Sequence, residues 1–294
     1  MQVYGGIEGG GTKFNCAVAI SPTETPIDSL KIDTTTPAET LGKVISFFKK
    51  YDLKALGFAS FGPIDLDRQS PTYGYITATP KVGWKNTPIV PVLRQEFAVP
   101  IGWDTDCNVA ALGEVCYGAA QGLSSAFYIT VGTGVGGGAV IDGQMIHGLV
   151  HSEMGHLPLP RHPRDTYAGH CPYHRDCLEG MACGPAIQER WGKPAGELPP
   201  SHEAWEFEAF YLAQAICSVT YVISPQRIIV GGGVMHQEQL FPHIRQMVVE
   251  KLNGYIQSSA ILDQVETYIV PPGLGDRSGT VGALELARRA ERGQ

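Results

Sequence analysis

One pattern constrains the fold of this chain more than any other: a strand, a glycine loop and a second strand, written twice. The first copy is QVYGGIEGGGTKFNCAVAI, residues 2–20. Val3 and Ile7 lead in. After the glycines Phe14, Cys16, Val18 and Ile20 alternate at period two, as a half-buried strand requires. The second copy is AFYITVGTGVGGGAVID, residues 126–142, with Phe127, Ile129 and Val131 leading in and Ala139 to Ile141 leading out. The shared grammar points to two related lobes. Two unrelated hairpins would leave the same trace.

The rest of the chain alternates strand and helix. Leu41, Val44, Ile45 and Phe48 have helical spacing within 38–51, and 54–61 reads as a buried strand. A strand over 99–106 runs into a small-residue helix over 108–122. Later come an apolar helix (205–223), a strand entering glycines (227–234), a helix (240–253) and a closing helix. This order implies an α/β protein with largely parallel pairing. The stretch 157–204, rich in Pro, Gly and His, reads as irregular and is too long for an ordinary loop.

With 294 residues and 43% hydrophobic content, the chain has room for one large domain or two medium ones. A net charge of -7 argues against a nucleic-acid partner and against an anionic membrane surface. No run approaches the length of a membrane span. The start lacks a basic region followed by an apolar run, so a cytoplasmic protein is expected.

GGGTK at 9–13 invites comparison with the P-loop, but that motif needs GxxxxGK[ST] and a following helix. Here FNCAVAI follows, with strand periodicity. A glycine hairpin still binds phosphate well, because bare backbone N–H groups approach oxygens closely. One such loop would be an ordinary tight turn. Three, at Gly9–Lys13, Gly132–Gly138 and Gly231–Gly233, each follow a predicted strand, where ligands gather in α/β folds.

Seven cysteines make an odd count. Cys16, Cys107, Cys116, Cys183 and Cys217 sit among apolar or small residues and read as reduced core thiols. Cys171-x2-His174-x2-Cys177 is different: two thiols and an imidazole in one short stretch suit tetrahedral zinc. A fourth ligand could come from His156, His162 or His170. In WDTDCNVAALGE a strand ends and a helix begins, so Asp104, Thr105 and Asp106 each qualify as the N-cap. Glu153 and Glu179 read as ordinary surface acids until something else singles them out.

IEGGGTK, DTDCNVAALGE, ITVGTGVGGG, HSEMGH, CPYHRDCLEG and IIVGGGV occur in the order found in the ROK family of bacterial sugar kinases. The resemblance spans nearly the whole chain and is closest to the fructokinase branch. It implies a two-lobed actin-like (ribonuclease H-like) fold with duplicated α/β domains, MgATP and sugar sharing the cleft. The lobes would cover 1–117 and 118–278, with 279–294 packing back on the first. It implies phosphate contacts from Gly9, Gly10, Gly11, Thr12 and Lys13 and from Gly132, Thr133, Gly134 and Gly136. Gly231, Gly232 and Gly233 would lie near adenosine, with Met181 lining the same pocket. Asp106 would be the catalytic base, kept ionised by the helix dipole. Gly62, Thr105, Asp106, Glu153 and Glu179 would meet the sugar. Thr105 stands where the wider family has Asn, which puts one sugar hydrogen bond in question. Glu8 stands where much of the family has Asp; it would support Mg²⁺ through water. His156 would complete a structural Zn²⁺ site with Cys171, His174 and Cys177. Zinc would then pin the loop between Glu153 and Glu179. A homodimer would be usual.

The substrate implied is fructose; mannose, glucose or an N-acetylated hexosamine are the alternatives. Repressors of the family carry a DNA-binding region ahead of the first glycine loop, whereas Glu8 to Lys13 come almost at once here. A zinc hydrolase would need an open metal position, which a four-ligand set closes.

Overall fold

The computed structural model describes all 294 residues. The first hairpin is β1 (Val3–Gly9) and β2 (Lys13–Ala19), followed by β3 (Asp28–Asp33). Helix α1 (Pro37–Phe48) starts at Thr36, whose side chain accepts from the Glu39 N–H, and buries Leu41, Val44, Phe47 and Phe48. Then come β4 (Leu53–Ser60), the short pair β5 (Tyr75–Ile76) and β6 (Thr87–Pro88), α2 (Ile89–Glu96), β7 (Ile101–Thr105) and α3 (Asp106–Tyr117). The second hairpin is β8 (Ser125–Val131) and β9 (Val135–Ile141), with β10 (Gln144–Met145) beside it. Beyond it lie α4 (Leu178–Ala182), α5 (Gly184–Trp191), α6 (Ala204–Val222), β11 (Ile228–Gly231), α7 (Leu240–Leu252), α8 (Ser259–Leu262), α9 (Val265–Tyr268), β12 (Ile269–Val270) and α10 (Ser278–Glu291).

The strands form two five-stranded sheets, ordered β3-β2-β1-β4-β7 and β10-β9-β8-β11-β12. In each, an antiparallel hairpin leads into two parallel partners. The two sheets therefore correspond strand for strand, which is what the twice-written hairpin suggested. Each has its own core. Phe14, Phe58, Trp84 and Trp103 fill the first, while Phe127, Trp205 and Tyr211 belong to the second. No helix is long and apolar enough to cross a membrane.

Helix α10 returns to the first sheet. A Cβ on Gly57 of β4 would sit 1.9 Å from the Ala283 carbonyl oxygen. Where α10 crosses α3, a Cβ on Gly282 would sit 1.9 Å from the Val109 oxygen. Only glycine allows backbone to approach backbone this closely.

One expectation needs correction. The stretch 157–204 is not irregular throughout, for it contains α4 and α5. Both are short; Cys183 alone separates them, and α5 opens on Gly184-Pro185. Pro185 removes a donor where the first turn has no use for one. In sequence the same dipeptide reads as a breaker.

Candidate functional site

Two cavities open between the sheets. The larger, ≈ 870 Å³, takes Gly10, Gly11 and Thr12 from the first hairpin turn and Gly132, Thr133, Gly134 and Gly136 from the second. Gly62, Thr105, Asp106, Glu153 and Glu179 also line it, with His156 and His174 on its wall. The other, ≈ 740 Å³, is lined by Glu8, Gly231, Gly232, Met235, Phe241 and Pro272 among others. Asp106, Cys107 and Thr130 border both. The cavities thus meet at the N-terminus of α3.

The Asp-Thr-Asp ambiguity resolves into three separate jobs. Thr105 is the cap, its hydroxyl accepting from the Asn108 N–H at 3.2 Å. Asp104 is 1% exposed and fully engaged. Its Oδ1 accepts from the Thr105 N–H and from Asn108 Nδ2, and its Oδ2 lies 2.6 Å from His147 Nε2. Asp106 is left facing the cavities, with Oδ1 accepting from the Cys107 N–H at 2.8 Å. Burial pushes its pKa up to about 7; the charges of Glu8 and Glu153 add to this and the Cys107 N–H opposes it. Loss of water thus outweighs the hydrogen bonding at Cys107 that favours the anion.

Glu8 stands at the end of β1. Its Oε2 accepts from Asn15 Nδ2 on β2 and from the Thr280 hydroxyl on α10. Burial raises its pKa too, against both hydrogen bonds. Glu179 lies in the first turn of α4, where its Oε2 accepts from the Val135 N–H at 3.1 Å. A side chain at Gly134 would collide with that oxygen, at 2.6 Å. Burial also raises the pKa of Glu153; Glu179 reinforces the shift, whereas His151 and His156 counter it.

His156, Cys171, His174 and Cys177 place their ligand atoms within 4.8 Å of one another. Cys171 Sγ lies 3.7 Å from His156 Nδ1 and 3.8 Å from His174 Nδ1, and Cys177 Sγ lies 3.5 Å from His156 Nδ1. Tetrahedral zinc with ordinary bond lengths would set sulfur and nitrogen about 3.6 Å apart. The residues present fit that ion in donor type, number and spacing. Burial pushes the Cys177 thiol up to about 11, so a thiolate here needs a cation. His162 and His170 stand apart, near Glu206 and Glu189 respectively.

Four expected residues line neither cavity. Gly9 packs beneath Phe14 and Phe58. Lys13 turns its side chain to solvent and gives its carbonyl to the Gly10 N–H. Gly233 has open space around it. Met181 is 0% exposed, on the inward face of α4 with Leu178 and Ala182. Its spacing within α4 made it core, and the neighbouring CLEG motif concealed that. Thr79, Lys81, His151 and Ser152 also line the larger cavity. Thr79 and Lys81 lie in TPKVGW, a loop whose composition signals a turn without saying which side chain points inward.

Matched sheets, each presenting a glycine turn to one acidic cleft, define a two-lobed protein of the actin-like class. The sequence profile of the ROK family matches residues 4–290, and the chain belongs to that family. It is 47% identical over 300 residues to a fructokinase of Zymomonas mobilis, covering 99% of this chain and 98% of that protein. A fructokinase of Pediococcus pentosaceus is 43% identical over 289 residues, with 98% and 99% coverage. The structure of a ROK glucokinase from Streptomyces griseus, in complex with glucose and AMPPNP, superposes with TM-score 0.77 at 23% identity, covering 98% of this chain and 99% of that one. At that identity the likeness speaks for the fold alone.

Proposed function

We propose that this chain is an ATP-dependent hexose kinase that converts D-fructose to D-fructose 6-phosphate. The observation that carries the reading is the meeting of two cavities at one half-buried carboxylate, Asp106. Sugar occupies the larger cavity and the nucleoside the other, with phosphates between the turns at Gly10–Thr12 and Gly132–Gly136. Asp106 accepts the proton of the acceptor hydroxyl, whose oxygen forms the new bond to the γ-phosphorus as the bond to the β-phosphate oxygen breaks. A pKa near neutrality suits that task, since the base must be free before transfer and protonated after it.

The cleft carries Glu8, Asp106, Glu153 and Glu179. A triphosphate entering such a field needs a divalent cation, and Mg²⁺ supplies that charge neutralisation when bound. Glu8 is the residue placed to support it. Glu153 and Glu179 accept from sugar hydroxyls, and Gly62 lets the chain come close to the ring. Zinc held by His156, Cys171, His174 and Cys177 is structural: four protein ligands close its shell. The lobe boundary falls at residues 117 and 118, with 279–294 returning to the first lobe; the seat of α10 on the first sheet supports this division. The working form is read as a cytoplasmic homodimer, as the family likeness implies, and sedimentation of the purified protein tests the dimer.

An ADP-release assay over a sugar panel tests the central reading. Fructose should give the highest catalytic efficiency. A higher value for glucose, mannose or an N-acetylated hexosamine would move the assignment to that sugar, and no turnover with any hexose would end it.

A further inference from the structure

His151 is used by none of the roles above, yet its side chain is only 3% exposed and lies between the lobes. Its Nε2 is 3.0 Å from the backbone N of Ile64, which belongs to the first lobe's Gly62-Pro63-Ile64 loop. A backbone N–H can only donate, so Nε2 is the acceptor and carries no proton. The neutral ring must therefore hold its hydrogen on Nδ1. That nitrogen faces two acceptors, Glu153 Oε1 at 3.4 Å and the Ser152 carbonyl oxygen at 3.3 Å. The two ring nitrogens thus see complementary partners, and a single tautomer satisfies both. The ring also packs against the loop it holds: a Cβ on Gly62 would lie 3.2 Å from its Cε1 and 3.4 Å from Glu153 Oε1.

We propose that His151 is a positioning residue for hexose recognition, one imidazole that ties the Gly62–Ile64 loop of the first lobe to Glu153 of the second. The inference rests on the reading of Glu153 as a sugar ligand. By orienting Oε1, the ring leaves the other carboxylate oxygen for a substrate hydroxyl. By holding Ile64, it fixes how closely the first lobe's backbone approaches the same sugar. Neither contact reaches the phosphate turns, so the effect belongs to the sugar side of the cleft.

Two variants separate the tethers. His151→Gln keeps an acceptor near the Nε2 position and loses the donor toward Glu153. His151→Asn keeps a donor near the Nδ1 position and loses the acceptor for Ile64. Each should raise the KM for fructose about tenfold, the worth of one charge-assisted or buried hydrogen bond, with the KM for ATP and the zinc content unchanged. Nitrogen-15 NMR of histidine-labelled parent protein gives a readout independent of variant folding. It should show the His151 ring hydrogen on Nδ1 and none on Nε2. A hydrogen on Nε2 would overturn the proposal, as would two variants with unaltered fructose KM beside a Glu153→Ala variant that raises it. If Glu153→Ala itself leaves the fructose KM unchanged, the sugar-ligand reading of Glu153 fails, and the inference falls with it while the tautomer stands.

Discussion

At the scale of single residues, Asp106 carries two opposed consequences. Replacing it by Asn should leave ATP and sugar binding in place and lower turnover by about 10²–10⁴-fold, the usual worth of a general base. Turnover near the parent's would leave the carboxylate without a catalytic role. The pKa of about 7 adds a pH signature. The ionised form is the base, so kcat/KM for fructose should fall as pH drops below about 7 and level off above it. That limb should vanish in Asp106→Asn. The stability effect has the opposite sense. A carboxyl group whose folded pKa is raised is protonated in the fold while the unfolded chain already prefers the anion. This penalty is absent below the unfolded pKa, grows as pH rises and is complete above the folded pKa. Asp106→Asn should therefore melt higher than the parent at pH 8, with the gap shrinking to a small remainder at pH 4; an unaltered melting temperature at pH 8 would contradict the burial of this group. Sequence spacing alone left Asp104, Thr105 and Asp106 equivalent, because all three precede the same helix. Family likeness chose among them. The hydrogen bonds that distinguish them involve Asn108 and His147, and His147 lies too far along the chain for local pattern to reach.

At the scale of elements, the loop from Glu153 to Glu179 was legible as a candidate metal site from Cys171, His174 and Cys177, since ligand spacing is local. Spacing did not choose the fourth, for three histidines competed; the family likeness picked His156, and the fold brings it within reach of the other three. The purified parent should carry one zinc per chain, and Cys171→Ser or Cys177→Ser should lose it and raise the KM for sugar more than the KM for ATP. Elemental analysis of the variants checks the first part, and unchanged zinc would remove both residues from the ligand set. Helices α4 and α5 were hidden within this region because each is only a turn or two long, and their glycines and proline read as loop. The two glycine crossings of α10 make a separate prediction. Gly282→Val would drive a side chain into the Val109 carbonyl, where backbone cannot yield as a side-chain tip can. Overpacking of this kind costs about 1–3 kcal/mol or more. A chemical-denaturation midpoint equal to the parent's would show that α3 and α10 are free to separate.

At the scale of the whole molecule, the duplication was visible in the two glycine hairpins and in little else. The parallel partners β4 and β11 share no obvious sequence likeness, since both are simply buried and apolar. What the linear text could not show is how Glu8 of β1 comes to be held by Thr280 of α10. That contact has a consequence for how the protein is made. The ribosome produces the first sheet before any of the second lobe, yet one face of that sheet is covered only when α10 emerges. Until then Gly57 and its neighbours on β4 stay uncovered, and Glu8 lacks its hydroxyl partner. The lobe begun first is thus completed last, and it must wait through the synthesis of the other lobe with apolar surface open to chaperones and to stray partners. A released chain that ends before residue 278 should expose β4 to proteolysis while the second lobe, from β8 to β12, already resists it.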